Sequence, residues 1–287
     1  MRKILGKLYA FSSSWTGTIV IVLLFIFFVA QAFVIPSGSM KNSLLIGDFL
    51  FVKKFAYGVA TPHIPWIEVP VWFDGDGDGH VIEGDRPERG DIVVFRYPKD
   101  PKTYYVKRTF AKGGDEVIFA PKAMYLRPFE GDAYIDEHFD KDDVVILLGK
   151  KFVREPYKFK GIHYEDKSEK DNFVGENADA FTISVAYLAR NAYAMEPAVV
   201  MELNNISNLP FNAFYYRVPN DHFFMVGDNR ENSNDSRFWG PVPYKHIVGK
   251  PWFVYFSWDK DYKVRWERIG RFVDTLQTDE RYIREQP

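Results

Sequence analysis

Within this 287-residue sequence, the stretch whose residue types best suit covalent chemistry is Pro36-Ser37-Gly38-Ser39-Met40. A small Ser-Gly-Ser turn bends tightly and leaves a hydroxyl uncrowded, which a nucleophile attacking a carbonyl needs. The same residues also make an ordinary polar linker, so the turn acquires chemical meaning only with a base from elsewhere in the chain. Two bases compete for that role. Lys107 follows Tyr104-Tyr105-Val106 in a strand-like run, where alternation puts Tyr105 and Lys107 on one face and Val106 on the other. A lysine at a sheet edge guards against aggregation, whereas a buried one is driven toward its neutral form and can take a proton from a hydroxyl. His222, just before Phe223-Phe224-Met225-Val226, is the best placed of the six histidines for a Ser/His/Asp triad, although no Gly-x-Ser-x-Gly motif is present.

Two polar clusters remain. Gly227 to Arg237 is dense in Asp, Asn, Ser and Arg directly after a strand-like run. Such residues hydrogen-bond the backbone and one another, giving a rigid loop able to hold a catalytic strand. Asp74-Gly75-Asp76-Gly77-Asp78-Gly79 matches the first half of a calcium loop, but its twelfth position is Asp85 instead of a bidentate Glu. Pro62, Pro65 and Pro70 disfavour an incoming helix, so a solvated acidic turn is the preferred reading, and no metal or cofactor is expected.

Composition narrows the field. The absence of cysteine rules out disulfides, a thiol nucleophile and thiolate metal sites. A net charge of −2 without a basic stripe argues against a nucleic-acid partner. The 17% of aromatic residues, together with the β-branched runs, lean the globular part toward sheet.

These side chains need elements to position them. Arg2, Lys3 and Lys7 precede an uncharged apolar run, residues 17–35, that predicts one transmembrane helix about 28 Å long. The basic flank, residues 1–16, then stays in the cytoplasm and everything after Ile35 is exported. Ala30-Gln31-Ala32 has the small-x-small form of a cleavage site, but the run exceeds the 7–15 residues usual for a signal h-region, so an uncleaved anchor is expected. Strands are predicted at Leu44–Lys54 with a bend at Gly47-Asp48, at Arg89–Arg96, Thr103–Arg108, Glu116–Phe119, Phe223–Val226 and Val248–Trp258. Turn signals at such short spacing suggest a mainly β fold. Residues 36–119 and 219–270 form the expected core, 120–218 an inserted second lobe with charged loops, and 271–287 a charged tail.

Taken in order, four blocks resemble the type I signal peptidase (leader peptidase) family of membrane-bound Ser/Lys proteases. They are Ile35-Pro36-Ser37-Gly38-Ser39-Met40 continuing into Leu45-Ile46-Gly47-Asp48; Arg89 to Phe95; Tyr105-Val106-Lys107-Arg108 with Gly114-Asp115; and Gly227-Asp228-Asn229-Arg230 through Arg237-Phe238-Trp239-Gly240. The resemblance implies two antiparallel β-sheet lobes behind the N-terminal helix. It implies Ser39 as nucleophile, Lys107 as general base, and an oxyanion hole of the Ser39 amide with the Ser37 hydroxyl. Ser233 matches the serine that orients the lysine, and Asp228, Asp235 and Arg237 match a structural charge network. The implied partners are the signal peptides of secreted precursor proteins, cut after small residues, and the lipid bilayer. The implied location is the bacterial cytoplasmic (inner) membrane, with the catalytic part on the exported side.

This sequence departs from the family where Lys41-Asn42-Ser43 replaces the usual x-Pro-Thr and Gly113 replaces a common proline. A non-enzymatic anchored module binding calcium through Asp74 to Asp85, or a self-cleaving Ser/Lys relative, are the competing functions. An enzyme requires Ser39 and Lys107 to meet.

Overall fold

The computed structural model describes residues 6, 9–24, 30–63, 69–70, 79–164, 180–191, 195–198 and 212–282. Its strands in chain order are β1 (Ala30–Val34), β2 (Asp48–Lys53), β3 (Gly58–Ala60), β4 (His80–Glu83), β5 (Ile92–Tyr97), β6 (Asp100–Lys112), β7 (Glu116–Ala120), β8 (Ala123–Arg127), β9 (Val144–Leu147), β10 (Lys150–Arg154), β11 (Glu196–Ala198), β12 (Ala213–Arg217), β13 (His222–Val226), β14 (Val242–Pro243) and β15 (Ile247–Ser257). They form a sheet ordered β1-β2-β15-β5-β6-β13-β14, a second ordered β11-β12-β7-β8-β10-β9, and a small β3-β4 pair. Within each sheet the neighbouring strands run antiparallel.

Strand β2 shows why these residues choose sheet. Asp48, Leu50 and Val52 are buried while Phe49, Phe51 and Lys53 are half-buried, the period of two that a pleated surface imposes. The second sheet and the central strands of the first share one core, including Val93, Phe95, Phe110, Val117, Phe119, Phe214, Phe224 and Trp239. A smaller cluster, with Ile35, Met40, Leu44, Leu50, Val52, Val94, Val254 and Leu276, lies under residues 37–40. Each large apolar side chain so buried contributes about 1.5–3 kcal/mol, which is why the Ser39 turn sits on a firm base.

Strand β6 is the element that joins these regions. Residues 100–103 are exposed, Tyr104 to Val106 half-buried, and Lys107 to Ala111 buried. The change occurs where the strand passes beside β13, whose last pairing is Val226 with Arg108. Lys107 therefore stands at the point where β6 enters the core.

Three expectations need correction. The apolar run does not stay helical to Ile35: a helix covers Trp15–Leu24, and Ala30–Val34 is strand β1. There the backbone pairs with β2 from Ala30 opposite Lys53 to Val34 opposite Phe49, and Ile35 is buried in the smaller cluster, which together favour the extended form. Among the described residues no helix is long and apolar enough to cross a membrane. The tail is more than a charged appendage, because Val273–Thr278 is a helix that buries Val273 and Leu276, with Tyr282 following. Residues 116–119, read as part of the core from sequence, belong with Ala120 to a strand of the second sheet. Of the acidic turn, Asp74, Asp76 and Asp78 lie outside the described residues.

Candidate active site

The Ser39 turn begins with Ser37 in extended conformation and continues as one 3-10 turn over Gly38–Met40. Lys41 donates its amide to the Gly38 carbonyl, and Ser43 and Leu44 donate theirs to the Met40 carbonyl, so the chain winds tightly just after Ser39. Met40 and Leu44 are fully buried and pin the turn to the core. From the far side, the Asn229 amide donates to the Ser39 carbonyl at 3.1 Å and its side-chain amide to the Gly38 carbonyl at 3.4 Å. Gly227 makes this approach possible, since a Cβ there would stand 2.6 Å from the Ser39 carbonyl oxygen and 2.2 Å from Ser233 Oγ.

Lys107 Nζ lies 2.7 Å from Ser39 Oγ and 2.9 Å from the Val106 carbonyl oxygen. Its nitrogen is 5.1 Å from the centre of the Tyr105 ring, as expected for two residues on one strand face. Lys107 is 4% exposed. Burial pulls its ammonium from 10.5 down to about 8, Asp235 and Asp228 pull against that, and Arg237 adds to it. When charged, Nζ donates to Ser39 Oγ; when neutral, it can accept the Ser39 proton across the same contact.

The other sequence-derived residues fall unevenly. The exposed Ser37 hydroxyl lies 3.5 Å from Ser39 Oγ. Ser233 is buried beside Gly227, but its hydroxyl makes no hydrogen bond to Lys107 here. Asp228 accepts a bidentate pair from Arg108, with both bonds 2.7 Å. Asp235 does the same with Arg237 at 2.8 and 2.9 Å, and also accepts from the Gly227 amide at 3.0 Å. Burial alone would raise both carboxyls, yet the guanidinium beside each holds it below the ordinary carboxylate range. His222 is elsewhere: on β13, Val226 faces Arg108 and Phe223 faces Lys112, so His222 lies beyond Lys112. That places it about five residues along β6 from Lys107, roughly 17 Å at strand rise.

Sequence reasoning missed four contributors. Arg108 is 2% exposed and anchors Asp228 while also donating to the Gly90 carbonyl and Gln277 Oε1. A charged residue facing inward on a core strand was the available signal. Ser43, inside the segment that departs from the family, keeps a hydroxyl and donates it to Asp228 Oδ2. Asn229 and Gln277 carried no local signal beyond their polarity.

The turn and Lys107 open onto a cleft of about 590 Å³ lined by residues 32–40, 103–107, Asn232 and Asn234. Two strand edges that pair with no other strand among the described residues bound it: β1 at the end of its sheet, and the part of β6 that precedes its pairing with β13. Phe33 and Tyr104 meet edge to face across it, 5.2 Å between ring centres. Among the described residues no group of three or more His, Asp or Glu is arranged to hold a metal ion.

A hydroxyl in contact with a desolvated amine has the chemistry for nucleophilic attack on a carbonyl. Comparison with known proteins points the same way. The family profile described as signal peptidase, peptidase S26, matches residues 9–258. Signal peptidase I of Helicobacter pylori is 49% identical over 96% of each chain. Signal peptidase I of Aquifex aeolicus is 33% identical over 83% of this chain and 81% of its own, and that of Pseudomonas fluorescens 32% identical over 88% and 73%. At this identity and coverage, the chain belongs to the signal peptidase family, peptidase S26, of serine endopeptidases.

Proposed function

We propose that this chain removes N-terminal signal peptides from exported precursor proteins while anchored in the bacterial cytoplasmic membrane, with Ser39 as nucleophile and Lys107 as general base. The observation that carries the reading is the 2.7 Å contact between Lys107 Nζ and Ser39 Oγ inside a nearly dry site. Neutral Lys107 takes the Ser39 proton as Oγ attacks the scissile carbonyl. The Ser39 amide and the Ser37 hydroxyl stabilise the oxyanion, and the lysine then protonates the leaving amine. Water, activated by the same lysine, hydrolyses the acyl-enzyme. Asp228 and Asp235, each neutralised by an arginine, fix the strand and loop on which these groups depend.

The substrate runs extended between the edges of β1 and β6, where backbone groups give affinity and the side-chain pockets give selectivity. Apolar walls from Val34, Ile35 and Val106 leave room for small residues before the cut. Membrane attachment is supported by the uncharged helix Trp15–Leu24 and by an aromatic cluster on β2, on β15 and just after it, where Phe49 meets Tyr255, Phe256 and Trp258 edge to face and Phe51 meets Phe253 and Tyr255 at a tilt. Exposed Tyr262, Trp266 and Phe272 extend it. Aromatic side chains of this kind favour the interface of a bilayer.

The test is cleavage of a precursor with an Ala-x-Ala site by the full chain in detergent. Ser39→Ala is expected to abolish cleavage with an unchanged unfolding midpoint. Undiminished cleavage by Ser39→Ala would end the assignment.

A further inference from the structure

The second lobe sends one segment back to the catalytic centre. After β10 the chain runs through residues 157–164 across the buried Asp228–Arg108 pair. The Tyr157 hydroxyl donates to the Phe110 carbonyl on β6, and the Phe159 ring lies 4.0 Å from the Arg108 guanidinium carbon. Further along, the His163 amide donates to the Asp228 carbonyl, and the His163 carbonyl accepts from the Arg230 amide, both at 2.9 Å. His163 thus pairs in parallel with Asn229, the residue whose amide holds the Ser39 carbonyl.

The same segment covers the other wall of the nucleophile turn. A Cβ on Gly161 would sit 2.1 Å from Ser43 Oγ, so Gly161 lies flat against the hydroxyl that bonds Asp228. Next to it, the Asn42 side-chain amide is 3.2 Å from His163 Nδ1, which is also 2.7 Å from the Gly161 carbonyl oxygen. Asn42 has φ of +74°. Proline is locked near −65°, so the family's proline cannot occupy this backbone, whereas asparagine tolerates it. Where a ring would stiffen the turn, this chain has a left-handed residue whose side chain lies against the His163 imidazole.

We propose that residues 157–164 are a positioning strap for Ser39, with Gly161 and His163 acting through Ser43 and Asn42. The proposal rests on Ser39 being the nucleophile, and it gives the second lobe a part in catalysis without contact to the substrate. Ser43 is fixed from three directions: its hydroxyl by Asp228, its carbonyl by Arg268 at 3.3 Å, and its open face by Gly161. It follows Ser39 by four positions. A displacement of about 1 Å at a nucleophile costs on the order of 10²-fold in rate.

The test is a double-mutant cycle on precursor cleavage by the full chain in detergent, with kcat and KM measured separately. Gly161→Ala pushes the Ser43 hydroxyl off Asp228, so kcat is expected to fall about 10–10²-fold with KM within about threefold. Ser43→Ala removes the clashing oxygen, so Gly161→Ala is expected to add less than about twofold in that background. A second cycle is independent of the clash. His163→Ala is expected to lower kcat several-fold alone and to have no further effect in Asn42→Gly, which accepts the same φ without a side chain. Multiplicative effects in both cycles, or Gly161→Ala with unchanged kcat, would overturn the strap. If Gly161→Ala fails to fold, the His163 cycle alone decides. Ser39→Ala in the same assay separates the two ideas: activity without Ser39 defeats the nucleophile assignment, whereas a dead Ser39→Ala with multiplicative cycles defeats only the strap.

Discussion

Replacing Lys107 with methionine should destroy activity and yet make the protein more stable near neutral pH. Burial lowers the Lys107 ammonium from 10.5 to about 8. At 1.36 kcal/mol per pH unit this means that keeping the charge inside the fold costs about 3 kcal/mol at pH 7. Methionine fills a similar volume without charge. It also leaves the Val106 carbonyl and the Ser39 hydroxyl without the Nζ partner, at about 1 kcal/mol each. The net gain at pH 7 is therefore about 1–2 kcal/mol. The sign follows from proton counting. Between about 8 and 10.5 the unfolded lysine holds a proton that the folded one has lost, so wild-type stability rises with pH while the variant gains nothing from this group. The advantage of Lys107→Met should shrink from pH 8, vanish near pH 9 and reverse above pH 10. Denaturant unfolding of both proteins in the same detergent at each pH measures this, and taking differences cancels the titrations they share. A difference independent of pH, or one that grows with pH, would refute the reasoning.

Arg108→Met should cost stability on the scale of breaking a buried pair, about 3–5 kcal/mol, because Asp228 is left charged and buried; the denaturation midpoint reads this. Ser37→Ala should keep the fold and lower kcat by about 10²–10³, the effect of losing one oxyanion donor, as steady-state cleavage will show. Intact-mass measurement on the membrane-extracted protein should give a chain that retains Arg2 and Lys3, whereas a mass beginning at Phe33 would mean that the apolar segment is removed.

Much of the site could be read from local sequence because its parts announce themselves locally. The Ser-Gly-Ser turn, the alternation that puts Tyr105 and Lys107 on one face, and the polar loop after β13 are each contained within about ten residues. What the sequence withheld depends on chain closure. Ser43 meets Asp228 across 185 positions, Arg108 meets Gln277 across 169, and nothing near either residue encodes its partner. Nothing local marks Gly161, whose face lies against Ser43.

The apolar run was ambiguous for a different reason. Phe33, Val34 and Ile35 satisfy a membrane helix and a strand equally well, and only the neighbouring β2 makes the strand preferable. In the tail, the three-residue spacing of Val273 and Leu276 was hidden by the surrounding charges.

The proton acceptor is the central claim, and the pH dependence of kcat/KM tests it most directly. With Lys107 at about 8, roughly one molecule in ten is competent at pH 7, whereas a lysine at 10.5 would leave about one in 3,000. The rate should therefore rise with pH along a single limb centred near 8 and level off above it. Lys107→Arg should show no activity at any pH in this range, since a guanidinium keeps its proton. A limb centred near 6.5 that is lost in His222→Ala and persists in Lys107→Ala would contradict the lysine mechanism.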